Sequence, residues 1–370
     1  MAYHNTSHRE TQGRAALSGG LPGCFGTAFL AVAANSRRKT KYMLKSFRYL
    51  IDVSAEERGQ GMDEQTVEIL LATYQGARYL RTQLDSLFAQ TFAHFHLTAS
   101  DDGSTDATLS ILQEYAARYP GRMTVQSAPR RFGNARDHFF YLMRACRADI
   151  LLFCDQDDVW NPDKVEKTVR AMREAQKTYG DGTPLLVFTD QTVTDEQLNV
   201  IAPSLMRYQT QYFEAFDYRA ILLQNVVTGC AMAVNRALAD LAGACADDQA
   251  AVMHDWWLAA VAARFGRIVY LDESTMRYRQ HQGNSVGAKN MRFAAPLMDR
   301  LTHIRVLRQA IRGKKAQASA FRKTYEKDLT NEDEAFLLGF EKKRSGMGFY
   351  LRYRRYIHGL FRLTGMMLLG

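Results

Sequence analysis

Five apolar residues, Ile150-Leu151-Leu152-Phe153-Cys154, run without a break into Asp155-Gln156-Asp157-Asp158-Val159-Trp160. No other stretch limits the possible folds so strongly. A run this short and this apolar reads as a strand covered on both faces. Asn161-Pro162-Asp163 follows, and Pro162 suits the first turn of a helix that continues from Lys164. The three carboxylates therefore stand at the carboxyl end of a buried strand, where open α/β sheets bind ligands. Crowded like charges raise one another's pKa unless a cation neutralises them. A hard divalent ion with oxygen ligands, Mn²⁺ or Mg²⁺, meets that need and commonly carries substrate phosphates on its other positions. The same residues also read as a solvated acidic turn, with Asp158 or Asn161 capping the next helix.

The preceding chain repeats the scheme. Val67 to Tyr74 reads as a buried strand, broken at Gln75-Gly76, and Tyr79 to Phe88 has helical spacing with Leu80, Leu84, Leu87 and Phe88 on one face. Phe95 to Ser100 reads as a second strand, and it too ends in acids, Asp101-Asp102-Gly103-Ser104-Thr105-Asp106. Gly103 permits a tight turn, and Thr105 or Asp106 is placed to cap the helix carrying Leu109, Leu112 and Tyr115. Met123 to Ser127 is a third strand and Asp137 to Ala145 a helix. Alternation of this kind, with right-handed crossovers, predicts a parallel sheet with helices on both faces and both acidic turns at one edge. Neither a GxGxxG fingerprint nor a GxxxxGK[ST] loop follows the first strand, which disfavours a dinucleotide site and a P-loop.

Farther on, Leu185 to Asp190 is another apolar strand, and residues 203–218 form an aromatic, polar wall. Asn225 to Asn235 reads as a strand interrupted at Gly229, either a close approach of backbone to ligand or a β-bulge. His254-Asp255-Trp256-Trp257 opens a helix that Gly266 ends. Asp255 lies near the positive end of that helix, as an ionised functional group or as a simple cap. Ile268 to Leu271 is a strand, and Arg277 to Ser285 reads as a polar loop whose His281 could reach a metal as neutral imidazole.

The chain of 370 residues has ample core for one large domain or two. A formal charge of +9 suits anionic partners such as nucleotides, nucleic acid or an acidic membrane surface, without choosing among them. Five scattered cysteines (Cys24, Cys146, Cys154, Cys230, Cys245) make neither a disulfide framework nor a zinc motif and read as buried hydrophobes in a reducing compartment. No apolar run is long enough for an ordinary transmembrane helix. Residues 1–62, with a short apolar run at residues 24–34, are expected to be a disordered extension or sequence ahead of a native start at Met62. From Phe293 on the chain reads as helical and basic. Tyr350, Tyr353, Tyr356 and Phe361 interleave with Arg352, Arg354, Arg355 and Arg362, which suits an interfacial helix against anionic lipid or a helix packed on the main domain.

Taken in order, six motifs carry a family resemblance: Leu71-Ala72-Thr73-Tyr74-Gln75-Gly76, Ser100-Asp101-Asp102-Gly103-Ser104-Thr105-Asp106, Cys154-Asp155-Gln156-Asp157-Asp158-Val159-Trp160, Thr228-Gly229-Cys230-Ala231-Met232, His254-Asp255-Trp256-Trp257 and Tyr278-Arg279-Gln280-His281. Over about residues 67–286 the chain resembles family 2 glycosyltransferases of the inverting GT-A type, and more closely their rhamnosyltransferase-like branch. The resemblance implies a GT-A (nucleotide-diphospho-sugar transferase) fold, α/β, with a mostly parallel central sheet flanked by helices and a helical C-terminal extension. It implies an extension over 1–62, the GT-A domain over 63–290 and a basic helical region over 291–370. Thr73, Tyr74, Asp101, Asp102, Asp155 and Gly229 would bind the nucleotide-sugar. Asp155 and Asp157 match the DxD motif that holds Mn²⁺ or Mg²⁺, His281 matches a position that can complete that metal site, and Asp255 matches the catalytic base. The implied reaction moves a sugar, rhamnose from dTDP-rhamnose as the leading expectation, to a hydroxyl of a surface polysaccharide or lipid-linked glycan. Its setting would be the cytoplasmic face of the membrane, held peripherally, with no nucleic-acid partner. One departure concerns the turn Arg131 to Phe139, where Asp137 stands near a usual Asn, so Arg136 and Asp137 either touch diphosphate or only shape the loop.

Other classes fit less. A nucleotidyltransferase acting on a sugar phosphate would show a Gly-rich basic loop near the start, and Tyr74 to Leu80 is not one. A phosphatase with an aspartate nucleophile needs its acidic turn on the first strand. A non-catalytic membrane-associated binding protein would explain only the basic C-terminus.

Overall fold

The structure, a computed structural model, describes residues 65–209, 216–245, 248–281, 300–342, 345–357 and 366–367. The expected extension over 1–62 and most of the aromatic wall's centre, residues 210–215, lie outside them. In chain order the elements are β1 (Val67–Thr73), α1 (Ala77–Phe88), β2 (His96–Asp101), α2 (Thr108–Arg118), β3 (Met123–Ser127), α3 (Ala135–Ala145), β4 (Ile150–Cys154), β5 (Val159–Trp160), α4 (Lys164–Tyr179), β6 (Leu185–Thr194) and β7 (Val200–Ala202). There follow α5 (Leu205–Tyr208), α6 (Tyr218–Leu223), β8 (Met232–Asn235), α7 (Arg236–Gly243), α8 (His254–Phe265), β9 (Arg267–Arg279), α9 (Arg300–Thr324), α10 (Asn331–Glu341) and α11 (Gly346–Arg352).

One sheet runs β3-β2-β1-β4-β8-β6-β9-β5, with β7 beside β6. The first four strands pair in parallel, β8 lies antiparallel between β4 and β6, and β6 and β9 pair in parallel. Successive side chains of a strand point to opposite faces, and β4 shows what that does here. Ile150, Leu152 and Cys154 enter one core with Leu80 and Leu84 of α1 and Val165 and Met172 of α4. Leu151 and Phe153 enter the other, with Phe139 of α3 and Trp257 of α8. All five β4 residues are buried, so the strand tolerates no polar residue before Asp155.

Three expectations change. Asn225 to Asn235 is not one interrupted strand: residues 229–231 form a 3₁₀ turn and only Met232–Asn235 pairs in the sheet. The reason is local, since the N–H of Gly229 is drawn to Asp255 and the Asn225 side chain folds back on Val227. Arg277 to Arg279 is strand rather than loop, because β9 continues beyond Leu271 to pair with both β6 and β5. Nor does Asp158 or Asn161 cap α4: Asp158 is buried and Asn161 Nδ2 donates to Ser274 O. Asp106, by contrast, accepts from the N–H of Thr108 at the start of α2.

The C-terminal helices pack on the second core. Phe321, Phe336, Phe340 and Tyr350 are fully buried there, and Phe321 stacks with Tyr218 and meets Trp257 edge-on. Tyr353 and Tyr356 are buried as well, whereas Arg352, Arg354 and Arg355 are exposed, which is the packed arrangement of that segment. Asp333 ties the helices to the domain. It closes a capping box with Thr330 and accepts from Tyr218 Oη (2.7 Å), from Arg219 (3.1 Å) and from Arg264 Nε (3.0 Å). Burial alone would raise its pKa, but the Tyr218 and Thr330 hydrogen bonds and the Arg264 charge hold it down to about 2.

A carboxylate held below its ordinary value stabilises the fold above that value and loses the contribution as pH falls through the folded pKa. Asp333→Ala is expected to cost about 3–5 kcal/mol near neutral pH, because it removes the buried acceptor shared by two half-buried arginines and the buried Tyr218 phenol. In thermal unfolding the gap between wild type and variant should close between about pH 4 and about pH 2. A gap that stays constant over that window would show that the carboxylate charge is not what holds the helices.

Candidate active site

The carboxyl ends of β1 and β4, the turn at Gly229 and the start of α8 surround a cleft of about 1000 Å³. Of the residues expected at the site, Thr73, Tyr74, Asp102, Asp155, Asp157, Gly229 and Asp255 line it. Asp101 does not, and its carboxylate is engaged inside its own turn. It accepts from Gly103 N (3.1 Å), Ser104 N (2.7 Å) and Ser104 Oγ (2.6 Å), and Thr73 Oγ1 lies 2.9 Å away. Asp102 bolts the β3–α3 loop to the end of β2, accepting from the N–H groups of Phe132 and Gly133.

The end of β1 is locked to the acidic turn by one amide. Gln156 Oε1 accepts from Tyr74 N and Gln156 Nε2 donates to Tyr74 O, both at 2.9 Å. A Cβ on Gly76 would lie 2.1 Å from that Oε1, so this position needs glycine for the amide to pass. Gln75 sits at φ 50, uncommon for a residue with a side chain, and is held there by Ser104 and Thr105. Tyr74 is exposed beside the cleft with the Arg131 guanidinium 4.8 Å over its ring.

The acidic turn has three different carboxylates. Asp155 is half-buried and faces the cleft; burial first, then the charge of Asp157, pushes it up to about 7. Asp157 Oδ2 lies 2.8 Å from His281 Nε2, so the pair expected from the motifs does meet, although His281 itself is outside the cleft wall. Asp158 is fully buried and pushed well up, by burial and then by its two neighbours, while Oδ1 accepts from Arg279 N at 3.0 Å. Arg279 Nε also donates to Asp157 O (2.7 Å), and its guanidinium lies 4.7 Å over the Tyr79 ring, which in turn meets His281 at 4.8 Å. Beneath the turn, Lys164 is buried with Nζ 4.8 Å over the Trp160 ring, and burial pushes its pKa down to about 8.

Across the cleft, Asp255 stands in the first turn of α8. Its Oδ1 accepts from Trp256 N (2.5 Å) and its Oδ2 from Gly229 N (3.1 Å), yet burial still pushes the carboxyl up to about 7. A half-buried carboxylate with such a pKa can take a proton from a ligand near neutral pH. Next to Gly229, the Cys230 sulfur lies within 4.8 Å of carboxylate oxygens of both Asp155 and Asp158. Two consecutive residues thus bridge the acidic turn and Asp255. Gly229 is also forced to be small by the protein itself, since a Cβ there would meet His254 Nε2 at 2.7 Å.

Three residues not singled out from the sequence belong to this site: Gln156 and His254 line the cleft, and Cys230 stands behind Asp155. His254 is buried in the cleft wall, 4.3 Å from Phe139 and 5.2 Å from Phe153, and burial pushes it down to about 3, so it is neutral. Their one sign in the sequence was position: Gln156 and His254 adjoin acids within their motifs, and Cys230 follows Gly229. Arg136 and Asp137 shape a loop: Arg136 pairs with Asp137 and donates to the carbonyls of Gln249 and Ala251.

The sequence profile described as Glycosyl transferase family 2 matches residues 68–241. The dTDP-rhamnosyl transferase RfbG of Shigella flexneri is 28% identical over 237 residues, which are 61% of this chain and 76% of that protein. Among solved structures, residues 1-349 of S. aureus TarS in complex with UDP-GlcNAc align with 82% of this chain and 90% of that one, at 15% identity and a TM-score of 0.47. The mannosyltransferase PcManGT from Pyrobaculum calidifontis, in complex with GDP-Man and Mn²⁺, aligns with 92% of this chain and 96% of that one, at 14% identity and a TM-score of 0.47. The sheet order, the cleft at the strand ends and the profile match agree: residues 68–241 are a glycosyltransferase domain of family 2, on a GT-A fold.

Proposed function

We propose that the chain is an inverting, metal-dependent rhamnosyltransferase that takes its sugar from dTDP-rhamnose and delivers it to a hydroxyl of a growing surface polysaccharide or lipid-linked glycan. The observation that carries the reaction class is Asp255, a half-buried carboxylate poised near pH 7 and linked through Gly229-Cys230 to the Asp155-Asp157 turn. The choice of sugar rests on the likeness to RfbG.

In this reading Asp255 takes the proton of the acceptor hydroxyl as its oxygen forms the new bond to the anomeric carbon. The bond from that carbon to the diphosphate breaks on the opposite side, the leaving group keeps the electron pair, and the configuration inverts. Two N–H groups, from Gly229 and Trp256, hold the carboxylate in one orientation. Thr73, Tyr74 and Asp102 are the groups proposed to face the nucleoside, with Asp101 acting through Thr73 and the turn. Asp155, Asp157 and His281 supply oxygen and imidazole donors that suit Mn²⁺ or Mg²⁺, and the raised pKa of Asp155 marks a place short of positive charge. Such an ion, when bound, would neutralise charge gathering on the departing diphosphate. Among the described residues no helix is long and apolar enough to cross a membrane. The exposed Arg352, Arg354 and Arg355 support peripheral attachment to an anionic surface at the cytoplasmic side.

The reading is tested by nucleoside diphosphate release from dTDP-rhamnose, UDP-glucose and UDP-galactose, each with Mn²⁺ or EDTA. Metal-dependent release from dTDP-rhamnose is expected, falling at least about tenfold in Asp157→Ala. Release from a UDP-hexose instead would keep the class and overturn the sugar. Binding of none of the three would overturn dTDP-rhamnose as the donor.

The pH profile is a separate check. Asp255 must be ionised to accept a proton, so kcat should fall about tenfold per unit below about pH 7 and level off above it. Asp255→Asn should lower kcat by about 10²–10⁴-fold at pH 8. A wild-type rate that is flat from about pH 5 to about pH 8 would remove Asp255 from the role of base.

A further inference from the structure

We infer that Asp155, Asp158 and Cys230 form a second cation site, one that takes a thiophilic divalent ion of the Zn²⁺ class, beneath the Asp157–His281 pair. One ligating atom from each residue lies within 4.8 Å of the other two. Around a tetrahedral Zn²⁺, oxygen and sulfur donors stand ~3.6 Å apart, so the three groups need to close by about 1 Å. A second sign is Asp158 Oδ2: the residue is 0% exposed, and this oxygen meets no N–H or O–H donor and has only the Cys230 thiol beside it. A thiol is a weak donor, so the buried carboxylate oxygen stays poorly satisfied, and a cation removes that cost.

The chemistry of the donor set separates this site from the proposed donor site. Mg²⁺ and Mn²⁺ favour oxygen, whereas a thiolate selects Zn²⁺ or Cd²⁺. Lys164 from α4 and Tyr278 from β9 border the cluster, and Asp155 opens it to the cleft. Lys164 is thus the resident positive charge that an incoming ion competes with. Entry proceeds through Asp155, the Cys230 thiol proton leaves to solvent, and the sulfur becomes a thiolate ligand. Because Asp155 is shared, an ion in the deep site draws that carboxylate away from the donor diphosphate, and Zn²⁺ inhibits transfer; this consequence rests on the proposed function.

The test is Cd²⁺ titration of the full chain, followed by the ultraviolet thiolate-to-cadmium charge-transfer band. The band should saturate at one Cd²⁺ per chain in wild type, persist in Asp157→Ala and in Cys154→Ser, and be lost in Cys230→Ser. Cys230→Ala serves as a second variant, and circular dichroism confirms that each is folded. No band in wild type, a band that survives in both Cys230 variants, or its loss in Asp157→Ala would overturn the site. These readouts need neither sugar nor turnover. A failed deep site would leave metal-dependent donor cleavage standing, and a failed transferase reading would leave the Cd²⁺ band standing.

Discussion

A carboxylate cannot be buried beside two others without help, and the arrangement around Asp158 is built from that help. Its Oδ1 takes the backbone N–H of Arg279, which is the last residue of β9. The strand therefore has to reach that far, and its pairing with β5 follows from the same meeting. Arg279 then uses its side chain on Asp157 O, which fixes the turn from the other side. Two residues later the chain presents His281 to Asp157. One buried acid thus decides where a distant histidine arrives. Lys164, buried below, offsets part of the group's negative charge; burial lowers its pKa, and the neighbouring acidic groups work in the opposite direction to keep it protonated.

The first half of this architecture was legible because its signals are local. Apolar runs that stop at acids, followed by 3.6-residue periodicity, describe β1 to α4 closely, and the strand at Met123–Ser127 matches residue for residue. Asp155, Asp157 and Asp255 could be picked out because a carboxylate at a strand end or helix start has few structural duties. The second half depends on partners remote in sequence. Arg277 to Arg279 looks like a polar loop until β5 and β6 are beside it, and Gly229 looks like a strand break until Asp255 captures its N–H. Gln156 shows the limit best. Between acids it reads as filler, yet its amide satisfies both backbone groups of Tyr74. Asp101 shows the opposite case, an acid that matches a motif and spends its oxygens on its own turn.

The carboxyls of Asp155 and Asp255 are each raised to about 7. A raised carboxyl favours the fold fully below its ordinary pKa, and the benefit is lost as pH rises through the folded value. Near neutral pH both therefore weigh against folding. The two cores on either face of the sheet offset this, and the Asp333 network adds stability in the opposite pH sense, because its carboxyl is held low. Stability is thus drawn from the C-terminal helices, away from the cleft, and offsets the cost of the buried carboxyls at the strand ends.

The bridge at Gly229-Cys230 explains how the two acidic centres can be both close and unlike. A single 3₁₀ turn hands its first N–H to Asp255 and its next side chain to the Asp155–Asp158 group. Any shift of the acidic turn is therefore transmitted to Asp255 by one peptide unit. The turn cannot relax by sliding, since His254 blocks the Cα of Gly229 on one side, and the strand Met232–Asn235 anchors the chain immediately after it. His254 in turn cannot retreat, because Phe139 and Phe153 lie against its ring. Phe153 belongs to β4, the strand that ends in Asp155, so the loop of contacts closes on the carboxylate where it began. The one-step displacement proposed above requires rigid spacing between Asp155 and Asp255, and here that spacing is set by packing on a single buried strand rather than by either acid itself.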